Sequence, residues 1–148
     1  MLMKFKDLEH HQFYEGMMRM TKSHNDPYRK ALFYLLGLTE TTRLHFHQLY
    51  NFDEQAIRLE GLHQGWQTSS TVKLTRLAFN LFNGYVSEDY PDAARNYSPY
   101  FMFDTNLLPY FFEASKLRYP EYAATHNYDS VIIPLGVANN YEGYGLEH

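Results

Sequence analysis

The chain has 148 residues and a formal net charge of −4, and 45% of its residues are hydrophobic. A domain of that length buries roughly 70% of the surface its unfolded chain exposes, so disorder of the whole is excluded, and the charge is not the footprint of a general nucleic-acid binder. There is no cysteine, which excludes disulfide frameworks, thiolate nucleophiles and cysteine-based zinc sites and suits a reducing compartment.

Five helices are expected in chain order. The first runs from about Asp7, its cap, to Thr21, with Phe13, Met17 and Met20 as its apolar stripe. The second opens on Asp26-Pro27, a cap followed by proline at the first helical position. Its stripe is Tyr28, Leu32, Leu35 and Leu36, and Gly37 offers a left-handed stop. The third starts at Thr39 and continues through Leu44, Phe46 and Leu49 to about Tyr50.

The fourth, about 71–83, has the clearest signature. Ser69, Ser70 or Thr71 caps it, Gly84 ends it, and Leu74, Leu77, Ala78, Leu81 and Phe82 recur at full helical spacing. Phe79 widens the stripe, so this helix is expected to be central and touched on two sides. Arg76 lies nearly opposite the stripe, and at the centre of a fold it needs a partner, since an unpaired buried charge costs several kcal/mol.

The stretch from Tyr85 to Tyr97 reads as a loop, and Ser98-Pro99 opens a short turn of helix. The fifth helix runs from about Asn106 to Arg118, with Tyr110, Ala114 and Leu117 on its face, and Tyr119-Pro120 stops it. The expectation is therefore an all-α bundle of about five helices around the one at 71–83, within a single domain spanning 1–122. Residues 123–145 read as an extended strap or a partly disordered tail, and Leu146-Glu147-His148 as the start of a purification-tag remnant.

With one Trp, 14 Tyr and 11 Phe, rings of about 150–250 Å² each can dominate a core. Tyrosine outnumbers phenylalanine, which places some phenols at the surface or at an interface. The N-terminus lacks the apolar stretch of a signal peptide. The longest clean apolar run, Ala31 to Leu36, falls far short of the ~20 residues of a membrane span. A cytoplasmic location is expected.

Chemistry is sparse. Eight histidines invite a metal, yet His45 and His47 diverge by about 200° on a helix, and His10-His11 diverge too. Glu60 and His63 could meet, but make only one pair. No nucleophile elbow, phosphate loop or dinucleotide fingerprint occurs, and Asp53-Glu54 and Glu88-Asp89 sit in solvated segments. No metal, cofactor or catalytic residue is expected.

The most informative stretch runs from Gly61 to Arg76. Two glycines let its backbone turn, and the only tryptophan precedes a hydroxyl-rich helix start. Trp66, Gln67, Thr68, Lys73 and Arg76 could together hold a phosphate or carboxylate at that start. The competing reading is a well-capped helix whose Trp66 plugs the core and whose Arg76 meets a carboxylate such as Glu113. Glu113, Lys116 and Arg118 form a second polar cluster, with the i, i+3 spacing of ordinary surface support.

Two segments resemble a known family. One is Gly65-Trp66-Gln67-Thr68 leading into Lys73, Thr75 to Leu81 and Asn83-Gly84. The other is Pro109-Tyr110, Glu113-Ala114 and Lys116 to Tyr122. Together they resemble domain of unknown function 6075 over roughly residues 5–122. The resemblance implies a short cytoplasmic bacterial protein, often associated with mobile elements, and brings no activity, ligand or catalytic residue. Extension past Tyr122 reads as a departure from the family pattern.

The leading functional expectation is a non-enzymatic accessory module that binds a protein partner or a second copy of itself. Binding of a small anion at 66–76 is the alternative. Nucleic-acid binding through a local basic patch is a second alternative that the net charge disfavours.

Overall fold

In the computed structural model, which describes residues 2–87, 89–124, 131 and 133–136, the chain is mostly helical. Seven α-helices and one two-strand ladder occur among the described residues. Helix α1 (Leu8–Thr21) begins where the Asp7 carboxylate accepts the His10 N–H at 2.8 Å. Its fully buried face is His10, Tyr14 and Met18; of the expected stripe, Phe13 and Met17 pack partly buried against the core, whereas Met20 is 67% exposed. His10 and Tyr14 turn inward because each keeps an apolar body, and His10 finds buried partners for both ring nitrogens.

Helix α2 (Pro27–Leu36) starts as expected: the Asp26 carboxylate accepts the N–H groups of Tyr28 and Arg29. Every residue from Ala31 to Leu38 is buried, whereas Tyr28 is exposed. Gly37 does not make the expected left-handed stop, since its φ is −85°. Its value is room instead, because a Cβ there would run into the Phe13 ring.

Helix α3 (Glu40–Leu44) is shorter than expected. The Thr39 hydroxyl accepts the Thr42 N–H at 3.1 Å, but the α-helix ends at Leu44, itself 67% exposed. Leu44 and Phe46 lie about 200° apart on a continuous helix, so both cannot face the core. A 3-10 turn (Phe46–Gln48) lets Phe46 and Leu49 go in together. Strand β1 (Tyr50–Asn51) then pairs antiparallel with β2 (Ala56–Ile57), with Tyr50 opposite Ile57. Arg29 ties this ladder to α2: Nε donates to the Tyr50 hydroxyl at 3.1 Å, Nη1 to Asp26 at 2.8 Å and Nη2 to the Gln55 carbonyl at 3.2 Å.

A second 3-10 turn (Leu59–His63) leads to helix α4 (Ser69–Asn83). Its cap is Thr68, one residue before the three hydroxyls considered from sequence. Thr68 Oγ1 accepts the Thr71 N–H at 3.2 Å and Thr71 Oγ1 accepts the Thr68 N–H at 2.7 Å, a reciprocal box. Gly84 closes the helix at φ +80°, a region that costs a side-chain-bearing residue. Leu74, Leu77, Ala78 and Leu81 are buried as expected, and Phe79 is fully buried on the wider face.

The stretch expected to be loop up to Tyr97 carries a 3-10 turn (Ala93–Tyr97) that buries Ala93 and Tyr97. Helices α5 (Pro99–Met102), α6 (Leu108–Arg118) and the single-turn α7 (Pro120–Ala123) follow. On α6 the fully buried positions are Phe111 and Ala114, with Tyr110 and Leu117 partly covered. The hub is shared rather than single: α2 packs against α1, α4 and α6, and α4 against α2, α5 and α6. One apolar cluster runs through α1, α2, α4 and α6. Among the described residues no helix is long and apolar enough to cross a membrane. Of residues 123–145, expected as a strap, Ala123 ends α7 and Val131, Ile133 and Leu135 are exposed; most of the remainder, with residues 146–148 expected as a tag remnant, lies outside the described residues.

Candidate functional site

The start of α4 is occupied by its own chain. The Trp66 indole N–H donates to Gln48 Oε1 at 2.6 Å, and the ring stacks on His45 at 4.4 Å with an interplanar angle of 11°. The Gln67 amide donates to the Gly61 carbonyl at 3.0 Å and to the Thr75 hydroxyl at 3.2 Å, while its oxygen accepts the Thr71 hydroxyl at 2.7 Å. Thr68 is the cap. Lys73 reaches outward and donates to the Asp104 carbonyl at 2.7 Å. Trp66, Gln67 and Thr68 thus form a fastening between α4 and the preceding turn, and Lys73 fastens α4 to the segment after α5.

Arg76 goes elsewhere. The anticipated pairing with Glu113 is not formed: Glu113 accepts the Lys4 N–H at 3.3 Å and faces Lys116 Nζ at 4.0 Å. Arg76 instead lines a small cavity of about 60 Å³ with His63, Asp89, Tyr90, Asn96 and Tyr97, and none of the other four expected residues joins it there. Four of these five partners are already paired with one another. His63 Nε2 lies 3.0 Å from the Asp89 carboxylate, and Asn96 Nδ2 donates to the Tyr90 hydroxyl at 2.7 Å.

Tyr97 is the informative wall. It is 9% exposed, and its hydroxyl proton finds no acceptor among the described residues. Burial foremost, with the neighbouring Tyr85, pushes the phenol up to about 12, against the Arg76 guanidinium, whose charge and N–H both favour the ionised oxygen. The positions that complete this cavity were hidden in the supposed loop. An i, i+4 pair of core-forming residues, Ala93 and Tyr97, between Asp92 and Ser98-Pro99 is the signal that would have exposed them.

A larger groove of about 470 Å³ opens between the start of α2 and the α6–α7 corner. Pro27, Leu117, Pro120 and Ala123 supply apolar lining; Lys30 and Lys116 supply charge, and Glu113 lies between. Tyr28, Tyr119 and Tyr122, each adjacent in sequence to a lining residue, are exposed, Tyr122 to 75%. Arg118 does not extend the polar cluster into the groove. Its guanidinium stacks over Tyr28 at 3.8 Å and Tyr119 at 4.5 Å, and its Nε donates to the Leu81 carbonyl at 2.8 Å, satisfying the last turn of α4.

Among the described residues no three histidine or acidic side chains gather as a metal ion would require. The whole-chain comparisons complete this description. The model of a family of unknown function, DUF6075, matches residues 1–131, so the chain belongs to that family. The match runs past Tyr122, which corrects the reading of that stretch as a departure from the pattern. No curated protein and no solved structure matches the chain.

Proposed function

We propose that this member of the DUF6075 family is a cytoplasmic accessory module that binds a short segment of a protein partner in the groove between α2 and the α6–α7 corner. The groove itself carries the reading. Its volume of about 470 Å³ lies within the roughly 300–1,000 Å³ of sites that enclose a ligand. Its apolar floor suits one or two anchor side chains. Lys30 and Lys116 outnumber the single acid, Glu113, which already accepts a backbone N–H and faces Lys116. The favoured segment therefore carries apolar anchors beside a carboxylate. The exposed Tyr28, Tyr119 and Tyr122 extend the contact face with rigid amphipathic rings, the residue type most enriched at interfaces.

The reading is tested by panning a displayed library of random peptides against the chain. Enriched sequences are expected to combine apolar anchors with Asp or Glu. Their affinity, by fluorescence anisotropy, should fall about tenfold or more, 1.4 kcal/mol per decade, on Lys30→Glu with Lys116→Glu. Both side chains are polar and reach solvent, so the fold should tolerate the change. Absence of enrichment, or enriched peptides indifferent to the double charge reversal, overturns it.

A further inference from the structure

We propose that the cavity walled by Arg76 and Tyr97 is a binding site for a small oxyanion group, a phosphate or a carboxylate. The case is independent of the groove, which lies on other residues. It begins with donors. Arg76 brings a guanidinium fork of five donors; it faces the Tyr97 oxygen, and among the described residues no carboxylate pairs with it. The Tyr97 hydroxyl is buried, and its proton has no acceptor among the described residues. Asn96 spends one amide N–H on Tyr90 and keeps a second, and the Tyr90 hydroxyl, having accepted that bond, still has its own proton to donate.

The acceptors are fewer. Among the described residues Asp89 is the carboxylate in the lining, and one of its two oxygens, Oδ2, lies 3.0 Å from His63 Nε2. A cavity whose wall includes a fixed guanidinium repels a cation, and its donor surplus calls for an acceptor with several lone pairs. Oxyanions meet that demand, and charge-assisted bonds to Arg are the strong class.

Size narrows the choice. One water needs roughly 10–15 Å³ of such space, so about 60 Å³ is several times larger than a single water requires and far smaller than a whole metabolite. The head group enters; any remainder of the molecule stays outside. The site differs from the sequence expectation in its centre. Arg76 is kept, while Trp66, Gln67, Thr68 and Lys73 are replaced by Tyr97, Asn96 and Tyr90 from the α4–α5 connection.

The test is calorimetric titration and thermal unfolding of the full chain with sodium phosphate and sodium acetate as probes, at ionic strength held constant with sodium chloride. Saturable stabilisation is expected from at least one oxyanion and not from chloride, and the better probe separates a tetrahedral from a planar group. Tyr97→Phe should weaken that binding about tenfold or more, the loss of a hydrogen bond to a charged group, and Arg76→Gln more severely. Tyr97→Phe also guards against misfolding as an explanation. Deleting a buried hydroxyl whose proton lacks an acceptor leaves the unliganded protein as stable as before or more so. The inference is overturned if neither oxyanion stabilises the chain beyond chloride, or if Tyr97→Phe and Arg76→Gln bind as the parent does.

Discussion

His10 joins the N-terminal segment to the end of α2, and the geometry requires it to be neutral. Its Nδ1 accepts the Lys6 N–H at 3.1 Å, which leaves the proton on Nε2, and Nε2–H donates to the Tyr34 carbonyl at 2.7 Å. That carbonyl belongs to the last turn of α2, whose terminal acceptors need partners outside the helix. Protonation would favour the negative end of the helix, worth up to ~2 kcal/mol. It would also set a second N–H against the Lys6 N–H and bury a charge in a fully enclosed site. Burial wins: it lowers the pKa from 6.5 to about 4, against the opposing effect of the hydrogen bond to the Tyr34 carbonyl. The sign follows directly. Between those two values the unfolded chain binds the proton and the folded chain does not, so this contribution is complete above about 6.5 and declines as pH falls toward 4. The whole gap corresponds to about 3 kcal/mol, of which about 2 kcal/mol is lost between pH 7 and pH 5. Urea unfolding followed by circular dichroism at both pH values measures it. His10→Gln should be less stable at pH 7 yet lose about 2 kcal/mol less than the parent on moving to pH 5. Equal losses in the two proteins would refute the neutral clasp.

Two further substitutions read the architecture around α4. A Cβ at Gly61 would sit 2.5 Å from the Gln48 carbonyl oxygen and 2.6 Å from Leu49 Cδ2, whereas one at Gly65 meets nothing within 4 Å. Gly61→Ala should therefore cost about 1–3 kcal/mol by overpacking, with Gly65→Ala near neutral in the same denaturant titration; similar costs would show that both glycines serve the turn. Thr68→Ala removes half of the reciprocal cap and should cost about 1 kcal/mol by thermal unfolding, while a cost near zero would return the cap to Ser69 or Ser70.

Local signals were legible where one residue acts on its own backbone. Asp7, Asp26 and Gly84 do at the helix ends what their chemistry dictates. The stripe of α4 was legible because its apolar residues keep helical spacing without interruption. Faces built with polar atoms were not. His10 and Tyr14 look solvent-facing in a sequence, and their burial depends on the carbonyl of Tyr34 and the ring of Phe5, partners brought in from other segments. The break at Leu44 failed to show for a similar reason: Phe46, Leu49 and Tyr50 form an aromatic and aliphatic knot with Phe13 and Phe33 that a straight helix could not supply. Family resemblance reached the right group, but it carried no chemistry. Arg76 was picked out by its position opposite the stripe; its company was unreadable because Tyr97 lies twenty-one residues on, across a turn mistaken for loop.

The weight placed on Tyr97 comes from how the rest of the interior is arranged. Buried polar groups in folded proteins almost always find partners, so an unsatisfied one demands a reason. This interior obeys the rule closely. Thr75 donates to the Thr71 carbonyl, Thr42 to the Thr39 carbonyl, Ser23 to the Thr21 carbonyl, and His10 satisfies both ring nitrogens. Arg58 Nε is also unpaired, but it is one of five donors on a guanidinium that reaches Glu60 at 3.8 Å, a partial shortfall in a side chain that meets solvent. A phenol has a single proton to give, and that of Tyr97 is buried beside the Arg76 guanidinium without an acceptor among the described residues, at the edge of a space too large for one water. Phenylalanine would fill the same volume without the desolvation cost of the hydroxyl, and the oxyanion proposed above would give the phenol proton the acceptor it lacks.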